Sequence, residues 1–217
     1  MKYGLIGING RMGREIQNLF DENNHELVFS YDKNGEFFKE NPDILIDFSL
    51  PKVFNTTIEY VKKYNTPLII GTTDLDEKSF NVLKDISKKV PIVQSYNFSI
   101  GIQILLKLAK LTNDFLPNSD IEIIETHHRF KKDKPSGTAK MIKNELNKNI
   151  NISSLRIGNI PGDHKIIFGT LGETIGISHR ALSRRAFAEG VLKSALFLKK
   201  VSKSKIYTFS EVMEGKI

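Results

Sequence analysis

The sequence predicts an α/β fold in which a doubly wound parallel sheet is joined to a smaller α+β domain with a mixed or antiparallel sheet. Over the first hundred residues, short apolar segments alternate with segments whose apolar residues recur at helical spacing. Such strands, apolar on both faces, are typical of a parallel sheet covered by helices on both sides. Between residues 155 and 178, three strand-like segments follow one another without intervening helices, which predicts the second domain.

The alternating part contains five predicted strands and three predicted helices. The first helix carries Ile16, Leu19 and Phe20 on one side, as expected for a helix that covers a sheet. The predicted strands are Tyr3–Ile8, Leu27–Tyr31, Ile44–Phe48, Leu68–Ile70 and Pro91–Gln94. The predicted helices are Gly10–Phe20, Val53–Tyr64 and Asp76–Lys88.

The rest of the chain is predicted to form the second domain and then to return to the first. Its predicted helices are Ser99–Leu116, Thr138–Asn147 and Arg185–Val201. Its predicted strands are Asp120–His128, Leu155–Ile160, Lys165–Gly169, Glu173–Ser178 and Ile206–Phe209. We therefore expect one domain over residues 1–98, completed by residues 185–217, and a second domain over residues 99–184.

The composition excludes several classes of protein. The 217 residues include no cysteine, so disulfide frameworks, thiolate metal sites and cysteine nucleophiles are excluded. No apolar segment reaches the roughly 18 residues that a membrane span requires, and the N-terminus lacks the features of a signal peptide. We therefore expect a cytoplasmic protein with no membrane partner.

The net charge of +7 comes mainly from lysines, many of them in doublets near the ends of predicted helices. At these positions the lysines complement helix dipoles and solvate the surface. A nucleic-acid partner calls for basic residues clustered among aromatic ones, and the sequence shows no such stripe. We therefore expect no nucleic-acid partner, while a long-range field that attracts small acidic molecules stays open as an alternative.

A glycine-rich turn joins the first predicted strand to the first predicted helix. Its glycines are spaced for a tight turn, close backbone approach and helix packing, although Asn9 stands where the G-x-G-x-x-G pattern has its second glycine. Free amides at the helix N-terminus attract a pyrophosphate. The turn therefore predicts a Rossmann-type dinucleotide site, with a purely structural turn as the alternative. The predicted site residues are Gly7, Ile8, Asn9, Gly10, Arg11 and Met12.

The end of the second strand carries the residues expected to contact the ribose of the cofactor. Asp32 suits the free ribose hydroxyls of NADH, while Lys33 suits the 2′-phosphate of NADPH. A solvated turn is the alternative for Lys33. We therefore expect NADH or NADPH as the cofactor, and the preference between them stays open.

Two further loops follow strands of the predicted parallel sheet. Ligands of such sheets lie outside the carboxyl ends of the strands, so both loops are placed to reach a cofactor or substrate. Taken singly, each loop is more often an ordinary connection than a binding segment. The residues concerned are Gly71, Thr72 and Thr73 after the fourth strand, and Ser95, Tyr96, Asn97 and Phe98 after the fifth.

A basic loop in the second domain predicts an anion site. Successive residues of a strand point to opposite faces, so His127 and His128 are expected to have different roles. Ser136–Thr138 opens a helix, where free amides attract a carboxylate or phosphate, and Lys131 adds a charged donor. We expect no metal site, because cysteines and a helical His pair with a Glu are absent.

A dinucleotide site followed by a histidine–lysine anion site predicts hydride transfer to a small acidic molecule. The cofactor carries the hydride, and histidine transfers protons near neutral pH. The alternatives are another dehydrogenase of an amino- or keto-dicarboxylate, a non-catalytic dinucleotide sensor, and a nucleic-acid binder. A sensor has no use for His127 and Lys131, which favours the enzyme.

The chain resembles the 4-hydroxy-tetrahydrodipicolinate reductases, also called dihydrodipicolinate reductases, nearly from end to end. The resemblance implies NADH- or NADPH-dependent reduction of 4-hydroxy-tetrahydrodipicolinate to tetrahydrodipicolinate with loss of water, in diaminopimelate and lysine biosynthesis. It also implies a homotetramer formed through the sheet of the second domain. The matching segments are Gly7-x-x-Gly10-Arg11-Met12-Gly13, Gly71-Thr72-Thr73, Asn97-Phe98-Ser99-x-Gly101, Glu125-x-His127-His128-x-x-Lys131-x-Asp133-x-Pro135-Ser136-Gly137-Thr138-Ala139 and Ser183-Arg184-x-x-Phe187-Ala188-x-Gly190.

The resemblance implies roles for the matched residues. His127 corresponds to the proton donor and acceptor, Lys131 to a proton donor, and His128 to a substrate-binding residue. The helix start binds a substrate carboxylate. Its residues are Ser136, Gly137 and Thr138, and the implied dinucleotide-binding residues are Gly7 to Met12, Asp32, Gly71 to Thr73 and Ser95 to Phe98.

Two departures from the family pattern bear on the cofactor. Asn9 replaces the usual second glycine and is expected to alter the affinity for the pyrophosphate without changing the overall site. The segment from Asp32 to Ile44 is short compared with longer members, so a helix or strand of the first domain is expected to be trimmed there. The contacts on the adenine side of the cofactor therefore stay open.

Overall fold

The computed structural model describes residues 1–215, and the chain divides into two compact units. The first unit contains residues 1–99 and the chain from Phe187 onward, and the second contains residues 100–186. It stays a prediction that the first unit binds the cofactor and the second binds the substrate, because the division of the chain does not show what either unit binds.

In residues 1–215 the chain forms eleven strands, seven α-helices and a short 3₁₀ turn at Pro51–Val53. The strands are β1 (Lys2–Ile6), β2 (Glu26–Asp32), β3 (Gly35–Phe38), β4 (Ile44–Asp47), β5 (Leu68–Ile70), β6 (Ile92–Gln94), β7 (Asp120–His127), β8 (Asn151–Arg156), β9 (Asp163–Gly169), β10 (Thr174–Arg180) and β11 (Ile206–Thr208). The helices are α1 (Arg11–Glu22), α2 (Phe54–Tyr64), α3 (Glu77–Ile86), α4 (Ile100–Phe115), α5 (Gly137–Leu146), α6 (Arg185–Leu198) and α7 (Phe209–Glu214).

The first unit is built on a seven-stranded sheet in the order β11-β6-β5-β4-β1-β2-β3. Its neighbouring strands are parallel, except that β3 runs antiparallel to β2. The strand order reverses between β1 and β4, since the chain goes from β1 to β2 on one side and returns to β4 on the other. Ligands of such sheets bind outside the carboxyl ends of the strands at this reversal.

The strands of the first unit are apolar on both faces because both faces of the sheet are buried. Leu45 and Ile46 are adjacent in β4 and point to opposite faces, yet both are fully buried. Burial of side chains this size stabilises the fold by about 1.5–3 kcal/mol each. The helices contribute their own apolar stripes, of which α1 buries Ile16, Leu19 and Phe20. The predicted parallel sheet with helices on its faces is therefore confirmed.

The second unit contains a four-stranded mixed sheet in the order β10-β9-β7-β8. The pair β7–β8 is parallel, and the pairs β7–β9 and β9–β10 are antiparallel. Helices α4 and α5 share a core with one face of this sheet, and Ile123, Ile166 and Phe168 are fully buried there. The predicted α+β part with a mixed sheet is confirmed.

Three local predictions were wrong or incomplete. The strand predicted at Leu155–Ile160 lies instead at Asn151–Arg156, because the chain turns at Gly158, whose φ is +55°. The short segment after Asp32 holds the exposed strand β3, which was not among the predicted elements. Phe209, predicted to end the last strand, begins helix α7, for which Thr208 and Glu211 form a reciprocal cap.

Candidate active-site regions in the two units

The turn after β1 has a backbone that only glycine allows. Gly7 has a φ of +86°, and a Cβ there would lie 2.7 Å from the carbonyl oxygen of Phe48. At Gly13, a Cβ would lie 2.2 Å from the carbonyl oxygen of Gly7. The turn therefore packs tightly against both the start of α1 and the chain after β4.

The N-terminus of α1 is open, as a bound pyrophosphate requires. Gly10 precedes the helix, and no side chain caps its first turn within the described part of the chain. The Gly10 amide donates to Gly7 O at 2.9 Å, which leaves the amides of Arg11 and Met12 at the open end. Free amides and the helix dipole favour an anion here, so these residues fit the phosphates of a dinucleotide.

A cavity of about 680 Å³ lies at the strand-order reversal of the first unit. It brings together predicted site residues from the turn after β1 and the end of β2, and it adds the chain after β4, which the sequence analysis missed. The signal that could have found that chain is its position after a central strand at the reversal. The lining residues are Ile6, Gly7, Asn9, Gly10, Tyr31, Asp32, Lys33, Phe48, Ser49, Leu50, Lys52, Val53 and Thr56.

Asn9 and Asp32 are hydrogen-bonded to each other in the lining of this cavity. The Asn9 side-chain amide donates to Asp32 Oδ2, and the Asn34 amide donates to Asp32 Oδ1 at 2.7 Å. The residue that departs from the glycine pattern therefore holds the carboxylate expected to contact the ribose. The exposed Lys33 side chain lies beside it in the cavity lining.

The loop after β5 is organised by a buried carboxylate. Asp47 is fully buried, and it accepts hydrogen bonds from Thr72 at 3.1 Å and Thr57 at 2.8 Å. Burial raises the pKa of Asp47, although its hydrogen bonds oppose the rise. Thr72 therefore supports the loop from inside, Thr73 is exposed, and Gly71 packs against the ring of Phe48.

The loop after β6 is held by its own hydrogen bonds. Ser95 Oγ donates to Asn97 O at 2.8 Å, and Asn97 Oδ1 accepts from the Ser99 amide at 2.8 Å. Phe98 is 2% exposed and packs between Phe48 and Phe209, so its side chain belongs to the core. Tyr96 is 45% exposed and is the open side chain of this loop.

In the second unit, His127 is fixed by a buried carboxylate. Its Nδ1 lies 2.5 Å from Glu125 Oε2, two residues earlier on the same face of β7. Burial opposes ionisation of Glu125, but hydrogen bonds from Arg156, Ser154 and His127 lower its pKa to about 2. Burial lowers the pKa of His127, although the Glu125 carboxylate opposes this. With Nδ1 engaged by Glu125, Nε2 is the ring nitrogen left for contact with a ligand.

Lys131 lies in the loop after β7 and is paired with an acid. Its Nζ lies 2.8 Å from Asp133 Oδ1, and about a quarter of the lysine side chain is exposed. The loop is anchored by the amides of His128, which donates to Ile160 O at 2.8 Å, and of Lys131, which donates to His128 O. The His128 side chain is half-buried and lies beside the ring of Phe130, whereas the His127 side chain is buried.

The start of α5, where the sequence predicts an anion site, is capped by Ser136. Ser136 caps the helix by accepting from the Ala139 amide at 3.2 Å, and its own amide donates to Glu125 Oε1. Gly137 is exposed, and a Cβ there would meet nothing within 4 Å. Thr138 is 8% exposed. The helix start thus offers backbone donors beside an open position at Gly137.

A third histidine, which the sequence analysis did not single out, lies beside this cluster. His164 in β9 is 4% exposed, its ring centroid is 5.3 Å from that of His127, and its Nε2 is 3.4 Å from Ser136 Oγ. Burial lowers its pKa to about 3, with a smaller contribution from His127. The register pairs His164 with Glu125, a relation across 39 residues that no local pattern reveals.

Within residues 1–215, the acids and histidines form no group of three or more arranged to hold a metal ion. No helix in this part of the chain is long and apolar enough to cross a membrane.

Family models and sequence relatives match almost the whole chain. Residues 1–98 match the model described as dihydrodipicolinate reductase, N-terminus, and residues 101–213 match the C-terminus model. The 4-hydroxy-tetrahydrodipicolinate reductase of Thermosipho africanus is 47% identical over 99% of this chain and 98% of its own length. The enzyme of the same name from Rickettsia rickettsii is 36% identical over 98% of both chains.

Solved structures show the same fold. The dipicolinate-bound dihydrodipicolinate reductase from Paenisporosarcina sp. TG-14 has a TM-score of 0.79 at 23% identity, covering 96% of this chain and 97% of its own. A probable dehydrogenase from Thermotoga maritima has a TM-score of 0.67 at 10% identity, covering 99% and 93%. At these identities the likeness concerns the fold, and it confirms the predicted fold class.

A glycine turn at a strand-order reversal is typical of the dinucleotide-dependent oxidoreductases. The family models and relatives narrow this class. The chain belongs to the 4-hydroxy-tetrahydrodipicolinate reductase family. The predicted family and enzyme class are confirmed, and a pyridine nucleotide is the type of cofactor.

Proposed function

We propose that this chain reduces 4-hydroxy-tetrahydrodipicolinate to tetrahydrodipicolinate with loss of water, using NADH or NADPH, in diaminopimelate and lysine biosynthesis. The activity is the one that its relatives carry in their names. The observation that carries the proposal is the fixed ring of His127, together with Lys131 and the open start of α5 in the same unit.

The cofactor binds through the first unit in this proposal. The amides at the start of α1 hold the pyrophosphate, and Asp32 and Lys33 meet the adenine ribose. When bound, the nicotinamide supplies the hydride. The full proposed set is Gly7, Ile8, Asn9, Gly10, Arg11, Met12, Asp32, Lys33, Gly71, Thr72, Thr73, Ser95, Tyr96, Asn97 and Phe98.

His127 and Lys131 handle the protons. The net reaction replaces a hydroxyl by a hydride, so one proton is needed for the hydroxyl to leave as water. Glu125 fixes His127 with Nε2 as its free proton-transfer atom, because Nδ1 is engaged. Lys131 supplies a positive charge and a second proton donor at the same loop.

The helix start holds the substrate by a carboxylate. Amides at Gly137 and Thr138 donate to the anion while Ser136 keeps the first turn in place through its cap. His128 contacts the substrate from the other side of the strand end. A small dicarboxylate is therefore bound at one carboxylate by backbone amides and elsewhere by side chains.

The assembly is proposed to be a cytoplasmic homotetramer formed through the sheet of the second unit. On the sheet face that α4 and α5 do not cover, Leu155 is 46% exposed and Ile124 and Ile167 are half-buried. Apolar side chains on an uncovered sheet face favour contact with another copy. Light scattering after size exclusion measures the mass, for which a tetramer is expected and a monomer would refute the assembly.

Three variants test the assignment of roles. His127→Gln and Lys131→Ala are expected to lower kcat by about 10²–10⁴, the usual cost of losing a general acid. His128→Gln is expected to raise KM for the substrate more than it lowers kcat. Melting temperature and NADPH affinity should stay near wild type in all three. A folded, NADPH-binding Lys131→Ala protein with normal kcat would refute the proposed site.

A further inference from the structure

A continuous chain of contacts connects the two proposed proton donors through Arg156. Its guanidinium donates to both oxygens of Glu125, with Nη1 2.9 Å from Oε2 and Nη2 2.8 Å from Oε1. Nη2 also donates to the backbone oxygen of Asp133 at 2.6 Å. Glu125 contacts His127, and the Asp133 carboxylate contacts Lys131. Arg156 therefore contacts both of the acidic residues that hold the proposed proton donors.

We propose that Arg156 is a positioning residue that sets the placement of His127 and Lys131 relative to each other, through Glu125 on one side and Asp133 on the other. The proposal rests on the proposed function, since it takes these two residues as the proton donors. In this proposal Arg156 contacts neither the substrate nor the cofactor.

The pairing of β7 with β8 places Arg156 beside His127. Arg156 is the last residue of β8 and pairs in register with His127 at the end of β7. Its side chain is only 13% exposed and Glu125 is fully buried, so the ion pair is desolvated. A planar guanidinium can grip both carboxylate oxygens and still reach the Asp133 carbonyl, which an ammonium cannot do with the same geometry.

Arg156 also sets the charge around His127. The charged and titratable groups that face His127 are Glu125 on its own strand, Arg156 on β8, His164 on β9 and Lys131 in the loop. Burial is the main cause that lowers the pKa of His127, the Glu125 carboxylate opposes it, and the positive charges of Lys131 and Arg156 lower the pKa further. Removal of that charge is therefore expected to raise the pKa of His127, which a purely structural arginine elsewhere would not do.

The test compares Arg156→Met and Arg156→Lys with the wild-type protein. The pKa of His127 is measured by NMR titration of its ring protons, assigned by their loss in His127→Gln, so this readout needs no turnover. Arg156→Met is expected to raise that pKa and to lower kcat by about 10²-fold, the cost of a misplacement near 1 Å. Arg156→Lys is expected to keep the pKa of His127 near its wild-type value, while its kcat is at least about tenfold below that of wild type.

A matched control is Arg180→Met. Arg180 also pairs with an acid on the neighbouring strand, with Nε 2.8 Å from Asp163 Oδ2, but its side chain is 74% exposed. It is expected to leave the pKa of His127 and kcat unchanged. NADPH affinity should stay near wild type in every variant, since the glycine turn belongs to the other unit.

The outcomes separate this proposal from the proposed function. Wild-type kcat in Arg156→Lys, or an unchanged pKa of His127 in a folded Arg156→Met, would overturn the positioning role. If Arg156→Met does not fold, the kcat of Arg156→Lys decides. If His127→Gln retains full activity while Arg156→Met still raises the pKa of His127, the proposed function of His127 fails and the contact chain stands.

Discussion

The side chain of Asn9 donates a hydrogen bond to the carboxylate of Asp32, which connects the glycine turn after β1 to the end of β2. Asn9 occupies the position where the dinucleotide pattern has a glycine. Asp32 also accepts from the Asn34 amide, so its carboxylate is oriented from two sides before any ribose arrives. Asn9, which departs from the pattern, thus orients Asp32, the residue that is proposed to contact the ribose of the cofactor.

Replacement of Asn9 by glycine is expected to be tolerated. The Asn9→Gly variant loses one exposed hydrogen bond, worth about 0.5–1.5 kcal/mol, while it restores the usual residue of the turn. Calorimetric titration should give an NADPH affinity within about tenfold of wild type. Loss of all measurable binding would show that Asn9 makes a specific contact with the dinucleotide.

Asp32→Ala is expected to reduce the use of NADH more than the use of NADPH. A carboxylate favours free ribose hydroxyls, whereas Lys33 can neutralise a 2′-phosphate. The matched variant Lys33→Ala should have the opposite bias. The measurement is kcat/KM together with Kd for both cofactors, and equal losses for both cofactors in Asp32→Ala would contradict the assignment.

Glu125→Gln is expected to destabilise the protein by about 3–5 kcal/mol, because it leaves the charge of Arg156 buried without its partner. The control is Glu122→Gln on the same strand, which loses an exposed contact with Ser153 and should cost about 1 kcal/mol or less. Urea denaturation at neutral pH measures both. Similar midpoints for the two variants would show that the buried pair contributes little.

Stability is expected to fall as the pH is lowered from about 6.5 towards 3, partly because of His164. Its pKa is about 3 in the folded chain and about 6.5 when unfolded, so over this window the unfolded chain binds a proton that the folded chain does not. Above about pH 6.5 the contribution is fully present. His164→Asn should therefore reduce the difference in melting temperature between about pH 7.5 and about pH 5.

The half-buried His25 provides a comparison for that experiment. Its pKa is also lowered by burial, but the group is far less enclosed than His164, and it lies in the other unit. His25→Asn is therefore expected to leave most of the pH dependence in place. If the melting temperature falls between the two pH values by as much in His164→Asn as in wild type, the account of His164 is contradicted.

Repeating patterns made most of the fold predictable. The strands of the first sheet are apolar on both faces, and the glycine turn sits between strand and helix, so element type and order followed from local sequence. β8 was misplaced because it is a polar edge strand, with Ser153 and Ser154 at its centre. β3 was missed because all four of its residues are exposed and no buried face marks it.

The supporting residues of the site could not be predicted, because they come together through pairing rather than spacing. Arg156 contacts a carboxylate 31 residues earlier in the chain, through the register of β7 and β8. His164 reaches the same cluster through β9. The chain after β4 lines the cavity of the first unit only because β4 lies beside β1, and that order is a property of the whole sheet.

The most direct test of the proposed function follows the nicotinamide absorbance of NADPH with enzymatically generated 4-hydroxy-tetrahydrodipicolinate. The wild-type chain is expected to oxidise NADPH in proportion to the substrate supplied and to release tetrahydrodipicolinate in equal amount. Lys131→Ala, at the same concentration and with wild-type NADPH affinity, should be slower by about 10²–10⁴. A folded wild-type protein that binds NADPH but leaves this substrate unchanged would contradict the proposed function.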